Sequence, residues 1–370
     1  MQSKLEKIDR NLIGLLRERI SVLAESEIPS VEEQLDNSRS LLEQAGVPEA
    51  VWKNLIAGCV AALKTASVSS SHVKPHSVTV IGGGGMMGRF FTSRLRAAGH
   101  KVNILESNDW DNAEKLLSEA ELVLVCVPLG STVAVIEKAA RYLAPTTALV
   151  DIASIKTPIV QAMLEHHVGP VMGLHPMFGS GIKTFLAQKV VVCPGRGNDV
   201  FQWLLDFIKQ DGGQLITCTP EEHDRMMIAI QAIRHFSTFS LGVFLAEEKL
   251  DISRSLEFAS PIYRLESNIV SRLFAQDESL YIDIILASEE RTQAIARLVE
   301  TYSRLAKLVA HKDRSALMQE FASARKAFQQ DCDRALEESN HIINTLSTLL
   351  AAREVKANPL PAKLILTEVI

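Results

Sequence analysis

Three features of the 370-residue sequence predict an α/β fold set between two helical regions. A β-branched run turns through glycines into a helix former. Apolar runs and helical segments then alternate from Ser77 to about Pro220. Helical periodicity dominates on either side of that stretch. Together they describe an α/β Rossmann dinucleotide-binding domain followed by an all-α dimerisation/substrate domain, with a short all-α region at the N-terminus. The expected divisions are a helical region at 1–66, a linker at 67–76, the Rossmann domain at 77–220, the helical domain at 221–353 and a tail at 354–370.

In the first region Leu5, Ile8, Leu12, Leu15, Leu16 and Leu23 recur at helical spacing, with Lys4, Lys7, Arg10, Arg17 and Glu18 between them. Pro29 opens a second helix that Gly46-Val47-Pro48 ends, and a third runs from Glu49 to Ala66. The polar, aperiodic stretch from Ser67 to His76 reads as a linker. Strands are expected at Val78–Ile81, Lys101–Leu105, Leu122–Val127, Ala148–Ile152, Val171–Leu174, Val190–Cys193 and Gln214–Cys218. Their alternation with helices is the signature of a parallel sheet covered on both faces. Beyond Pro220 the strand signals stop. His223 to Glu248 reads as one helix of 26 residues, ~39 Å long, so apolar that a second copy of the chain is expected to bury it. A dimer follows. The last residues, with Pro359 and Pro361, read as a flexible or partner-docked tail.

The glycine run carries the strongest chemistry. Gly83, Gly85 and Gly88 fit G-x-G-x-x-G, which permits a tight turn, close approach of a pyrophosphate and close packing of helix on strand. A helix from Met86 to Ala98, led by Met86 and Met87, points free N–H groups and its positive dipole end at the phosphates. Glu106 ends the second strand ~20 residues beyond the glycines, where an acid meets the ribose hydroxyls of NAD and repels the extra phosphate of NADP. The competing reading is a glycine-rich surface loop beside an ordinary exposed Glu.

Composition narrows the alternatives. With 47% hydrophobic and 22% charged residues, the chain can bury a large core. A net charge of −5 with scattered Lys and Arg offers no stripe for nucleic acid. Cys59, Cys126, Cys193, Cys218 and Cys332 are widely spaced and never form C-x-x-C, which argues against a disulfide framework and a metal site. No apolar stretch is expected to approach the ~20 residues of a membrane span. The N-terminus lacks a signal-peptide core, so a cytoplasmic protein is expected.

Hydride transfer needs a substrate carbon held against the nicotinamide and a base for the accompanying proton. His175 follows the fifth strand and precedes Pro176-Met177-Phe178-Gly179, which places an imidazole at the sheet's carboxyl edge with a pKa suited to a general base. A packing or turn role is the alternative. Ser154 could orient a hydroxyl or cap a helix, and Lys156 could pair with a substrate carboxylate or stay solvated. His223 and Arg234 stand 11 residues apart, within ~20° on one helix face. Arg264 and Arg272 sit in apolar surroundings and could hold an anionic substrate or pair with Glu266 or Asp277.

The sequence resembles prephenate dehydrogenase, in particular the enterobacterial type that carries an N-terminal chorismate mutase domain. The likeness runs from about Ser77 to Arg353. It rests on Val80 to Arg89, Ile104-Leu105-Glu106, Asp109-Trp110-Asp111, Asp151 to Lys156, Gly173 to Gly179, Glu222-His223-Asp224, Gln231 to Phe236, Ser260 to Glu266 and Arg272 to Asp277. The resemblance implies the NAD-dependent oxidative decarboxylation of prephenate to 4-hydroxyphenylpyruvate in tyrosine biosynthesis. It implies that His175 takes the proton of the ring hydroxyl with help from Ser154, that Arg272 anchors the ring carboxylate, and that Lys156, Arg264 and His223 shape the pocket. His235 matches a position tied to inhibition by tyrosine. Arogenate, which differs from prephenate only in an amino group for the keto group, is the alternative substrate.

The N-terminal region departs from the mutase pattern. Only Arg19 falls on a chorismate-binding position. About a dozen residues that normally follow, a catalytic Lys among them, are missing between Glu25 and Pro29. Ser30-Val31 replaces the usual Arg-Glu pair, and the first-helix Arg falls near Gln2. Two substrate carboxylates would be desolvated largely unpaired there. The expectation is a mutase remnant that supports the fold or the dimer, with a working bifunctional enzyme as the alternative.

Overall fold

The computed structural model describes residues 2–25, 27–66, 74–179 and 181–357. Most of the expected linker and tail lie outside the described residues, although Glu354 to Ala357 continue the last helix. The chain divides into two compact units, Met1–Asp224 and Arg225–Ile370.

The first unit opens with helices α1 (Gln2–Glu25), α2 (Val31–Ala45) and α3 (Glu49–Ala66). Ser30 starts α2 through a capping box: its hydroxyl accepts from Glu33 N, and the Glu33 carboxylate accepts from Ser30 N. Those hydrogen bonds hold the Glu33 carboxyl below its usual range. Gly46 ends the helix in the left-handed conformation at φ 63°. Leu35, Leu42 and Ile56 form a small core with Val31, Trp52 and Val60. On α1, Leu5, Ile8, Leu12 and Leu15 stay exposed.

Seven strands follow: β1 (Ser77–Ile81), β2 (Lys101–Leu105), β3 (Leu122–Val125), β4 (Ala148–Asp151), β5 (Val171–Pro176), β6 (Lys189–Arg196) and β7 (Gln214–Thr217). They form one sheet in the order β2-β1-β3-β4-β5-β6-β7. Helices α4 (Met86–Ala97), α5 (Ala113–Ser118), α6 (Thr132–Ala140), α7 (Thr157–His166) and α8 (Gln202–Gln210) separate successive strands, except between β5 and β6. The strand residues alternate between two cores. Val78, Val80, Leu122, Leu124, Val150 and Leu174 pack with Phe90, Phe91 and Phe207 from α4 and α8. Ile81, Val123, Val125, Leu149 and Val171 pack with Leu117, Ile136 and Met163 from α5, α6 and α7. Burial on both faces is why these strands read as continuous apolar runs.

The sheet is not wholly parallel. β5 and β6 pair antiparallel, with His175 opposite Val191, while β6 and β7 pair parallel. A parallel return needs a crossover, usually helical, and 177–188 contains no helix among its described residues. The chain therefore doubles straight back, and β5 extends through His175 and Pro176 instead of stopping at Leu174.

The second unit is helical. The run begins with α9 (Pro220–Met227), which crosses the boundary between units, and continues through a π-helical segment at Ile228–Ile233 into α10 (Arg234–Glu247). The expected single α-helix is thus interrupted, and the 3.6-residue reckoning that aligned His223 with Arg234 does not carry through the wider turns. Then come α11 (Ile252–Glu257), α12 (Pro261–Phe274), α13 (Glu278–Leu286), α14 (Glu289–Ala310), α15 (Arg314–Phe328) and α16 (Cys332–Ala357). Side-chain oxygens of Asp251, Ser260, Asp277, Ser288 and Asp313 cap α11 to α15. Gly242 lets α10 approach α12, since a Cβ there would stand 2.1 Å from the Phe274 ring.

Contrary to expectation, one helix among the described residues, Pro220–Glu247, is long and apolar enough to cross a membrane by length and composition, with mean hydropathy 1.3. Met226 to Ala246 holds a single charged side chain, Arg234, among 21 residues. Only 6% of its most apolar window is buried within the chain. A guanidinium near the middle of a bilayer is costly.

The glycine turn gives a direct test. A Cβ on Gly88 would sit 2.1 Å from Gly82 O and 2.7 Å from Gly83 Cα, both backbone atoms, whereas one on Gly84 would meet the movable Glu106 carboxylate at 3.0 Å. Gly88→Ala should lower stability by roughly 1–3 kcal/mol in chemical denaturation, with Gly84→Ala closer to wild type.

Candidate active site

The order β2-β1-β3 places the topological switch point of the sheet at β1, where ligands of such folds bind outside the carboxyl ends of the strands. Gly82, at φ 79°, turns the chain out of β1, and α4 starts at Met86 with Gly85 before it. Gly88 lets the first turn of α4 pack directly on the backbone of Gly82 and Gly83, and at Gly85 a Cβ would stand 3.3 Å from Gly82 O. Glu106 reaches back from the end of β2, and its Oε1 accepts from Gly84 N at 2.5 Å. Gly83, Gly85, Met86, Met87, Gly88 and Glu106 are therefore gathered at one end of β1 and β2, and they fit a dinucleotide.

The second cluster lies at the ends of β4 and β5. His175 is 4% exposed, and its Nδ1 stands 2.7 Å from His223 Nε2. His223 Nδ1 in turn stands 2.7 Å from Asp224 Oδ1. Burial opposes ionisation of Asp224, but hydrogen bonds from His223, Thr157 and Lys156 bring its pKa down to about 2. An ionised carboxylate only accepts, so His223 Nδ1 donates to it. With both rings in the neutral form, His223 Nε2 accepts, His175 Nδ1 donates and His175 Nε2 carries the lone pair. Sequence reading found both histidines but not Asp224 as their orienting group. The adjacent residues Glu222-His223-Asp224 were the available signal.

Asp224 also fixes the start of α7. Its Oδ1 accepts from Lys156 N and its Oδ2 from Thr157 N, both at 2.8 Å, across 68 and 67 residues of chain. This remote carboxylate does the work expected of Ser154 as a cap: Ser154 is half-buried and lies three residues before the helix. Lys156 also differs from the solvated or substrate-facing cation expected of it. It is fully buried, and its ammonium donates to Asp151 and, at 2.8 Å, to Leu174 O. Burial raises the Asp151 carboxyl while the Lys156 ammonium opposes that rise. The pair ties β4 to the residue preceding His175, so Lys156 is a positioning residue in this structure.

The remaining predicted residues belong to the second unit. Arg272 is exposed on the last turn of α12, where its main-chain O accepts from Gln276 Nε2 at 2.9 Å. Asp277 Oδ1 accepts from Ser279 N at 2.9 Å and caps α13. Arg264 donates to Leu256 O at 2.8 Å, a backbone carbonyl and not the Glu266 carboxylate. His235 is 8% exposed and packs edge-on against Tyr281 at 4.8 Å between ring centroids. Burial, then the charges of Arg234 and Arg291, push its pKa down to about 4.

Comparison with known proteins places this geometry in context. Residues 91–217 match the family model "Prephenate dehydrogenase, nucleotide-binding domain", and residues 219–323 match "Prephenate dehydrogenase, dimerization domain". T-protein of Haemophilus influenzae is 33% identical over 367 residues, covering 94% of this chain and 97% of its own. T-protein of Enterobacter agglomerans is 36% identical over 365 residues, covering 93% and 96%. Among solved structures, a prephenate dehydrogenase from Aquifex aeolicus in complex with hydroxyphenyl propionate and NAD+ superposes with a TM-score of 0.57 at 18% identity, covering 70% of this chain and 99% of that one. An arogenate dehydrogenase from Synechocystis gives 0.53 at 18%, with the same coverage. These two structural likenesses establish the fold.

The depressed pKa of His235 has a sign that can be checked. The folded chain keeps this ring neutral to about pH 4, while an unfolded His takes a proton below ~6.5. Its contribution is therefore intact above ~6.5 and is lost as pH falls from there toward 4. Denaturation at pH 7.5 and pH 5 should show a smaller loss of stability in His235→Gln than in wild type.

Proposed function

Because this chain belongs to the prephenate dehydrogenase family, we propose that it catalyses the NAD-dependent oxidative decarboxylation of prephenate to 4-hydroxyphenylpyruvate and CO₂. The single observation that carries the mechanism is the Asp224–His223–His175 series, with 2.7 Å between the facing atoms at each step. NAD, bound on the Gly82–Gly88 turn with its ribose at Glu106, would accept the hydride. His175 Nε2 takes the ring-hydroxyl proton as hydride leaves the same carbon. Loss of the ring carboxylate as CO₂ then makes the ring aromatic. The imidazolium so formed is steadied through His223 by the ionised Asp224. The Lys156 ammonium, holding Leu174 O, keeps the backbone beside His175 fixed while the proton moves.

Ser154, at the end of β4, is assigned to the same hydroxyl. Arg272, on the last turn of α12, is assigned to the ring carboxylate, a charge-assisted role. Arg264 supports the substrate domain through Leu256. His235, a buried neutral ring against Tyr281, is the assigned element of inhibition by tyrosine. The chain acts as a homodimer through its second unit: the matched family model is a dimerization domain, and Phe239, Leu241 and Phe244 are left exposed on α10. All five cysteines are free, as suits the cytoplasm.

The N-terminal helices are read as a mutase remnant. Arg19, the one mutase-like cation, is engaged by Gln34 Oε1 at 2.5 Å and lies over the Trp52 ring at 5.7 Å. Ser30, standing where the mutase pattern has Arg, serves α2 as its cap. Purified protein should consume no chorismate above background; measurable loss of chorismate would establish a bifunctional enzyme.

NADH formation with prephenate, compared with arogenate, tests the main reading, and turnover of neither would sink it. His175→Asn should lower kcat by ~10²–10⁴-fold with NAD binding kept. Asp224→Asn should lower kcat by a smaller factor and alter the pH profile of kcat, because an amide can donate to His223 and reverse its tautomer. A wild-type profile in that variant would remove the series from catalysis.

A further inference from the structure

The NAD reading leaves one cation at the glycine turn without a role. Arg89 lies on the first turn of α4, and its guanidinium donates to Gly84 O. The N–H of the same glycine donates to Glu106 Oε1 at 2.5 Å. Gly84 is thus held through its two main-chain groups by a cation and by an anion. Gly84, Gly85 and Arg89 are exposed and Glu106 is half-buried, so both side chains border the edge of the turn that receives the adenosine ribose. The neighbouring arginines of α4 are directed elsewhere: Arg94 pairs with Asp211, and Arg96 donates to Val102 O at 2.9 Å.

We propose that Arg89 is a latent partner for a 2′-phosphate, and that exclusion of NADP depends on the Glu106 carboxylate alone. A guanidinium beside the ribose is what a 2′-phosphorylated nucleotide requires, because its planar fork binds phosphate oxygens in pairs. Glu106 opposes this in two ways. Its charge repels the phosphate dianion, and its oxygen already holds the Gly84 N–H that faces the same edge. Replacing Glu106 by a short neutral residue removes both obstacles and leaves the cation in place. If Arg89 served only to clamp Gly84 O, the same replacement would weaken NAD binding and favour no other nucleotide.

The proposal rests on the NAD reading, and calorimetric binding to the full chain separates the two. NAD+ and 2′,5′-ADP are titrated into wild type, Glu106→Ser, Glu106→Gln and the double variant Glu106→Ser with Arg89→Ala. Wild type should bind NAD+ and reject 2′,5′-ADP. Glu106→Ser should gain about tenfold or more for 2′,5′-ADP, the scale of one charge-assisted contact, and the double variant should lose that gain. Glu106→Gln, which keeps a hydrogen-bond acceptor for Gly84 N–H, should gain less than Glu106→Ser. A gain that survives Arg89→Ala, or no gain in either single variant when both still bind NAD+ measurably, overturns the role of Arg89 and leaves the NAD reading intact. Wild type that binds neither nucleotide overturns both.

Discussion

The Asp224 carboxylate is the constraint on which the arrangement at the ends of β4 and β5 depends. It caps α7, a service usually given by a residue one or two positions before the helix, and it orients His223 from the neighbouring position in the chain. Capping by an ionised group at a helix N-terminus satisfies two N–H groups and meets the positive end of the helix dipole. Those same donors keep Asp224 charged, and a charged Asp224 accepts from His223 Nδ1. Local helix stability and the placement of the two histidines are therefore coupled through one side chain.

Beneath that series lies a second buried contact. Lys156 and Asp151 are both fully buried and joined, with the ammonium also on Leu174 O. Removing two charges from water is expensive, and such a pair is weak evidence for added stability. What it supplies is position: β4, the first turn of α7 and the residue before His175 cannot move independently. The surrounding sheet makes this possible because both of its faces are packed, so water has little access to the pair.

The second unit follows different physics. Its helices are defined by side-chain caps and by a close approach at Gly242, yet much of α10 stays exposed. A π-helical stretch interrupts the run just before Arg234 and His235, and such segments occur often at functional sites. The single charged side chain within that apolar run distinguishes it from a simple buried helix. An apolar face held by one chain and satisfied by another is the arrangement that a dimerization domain requires.

The sequence by itself determined the strands, because β-branched runs buried on both faces leave a strong signal, and it determined the cofactor turn, because Gly82 to Gly88 followed by Glu106 is contiguous in chain order. It singled out His175 and His223, which the fold brings to 2.7 Å of each other. It could not decide what Lys156 and Ser154 do, since Asp224 lies 68 residues beyond Lys156 and no local pattern reports a cap arriving from so far. It also missed the antiparallel return at β6, where the absence of a helix between strands matters more than any residue type present. The contact between the two histidines, the burial of Lys156 and the break in the long helix were settled by tertiary structure. Each depends on which groups meet in space and on how much water is excluded, and residue order does not encode either locally.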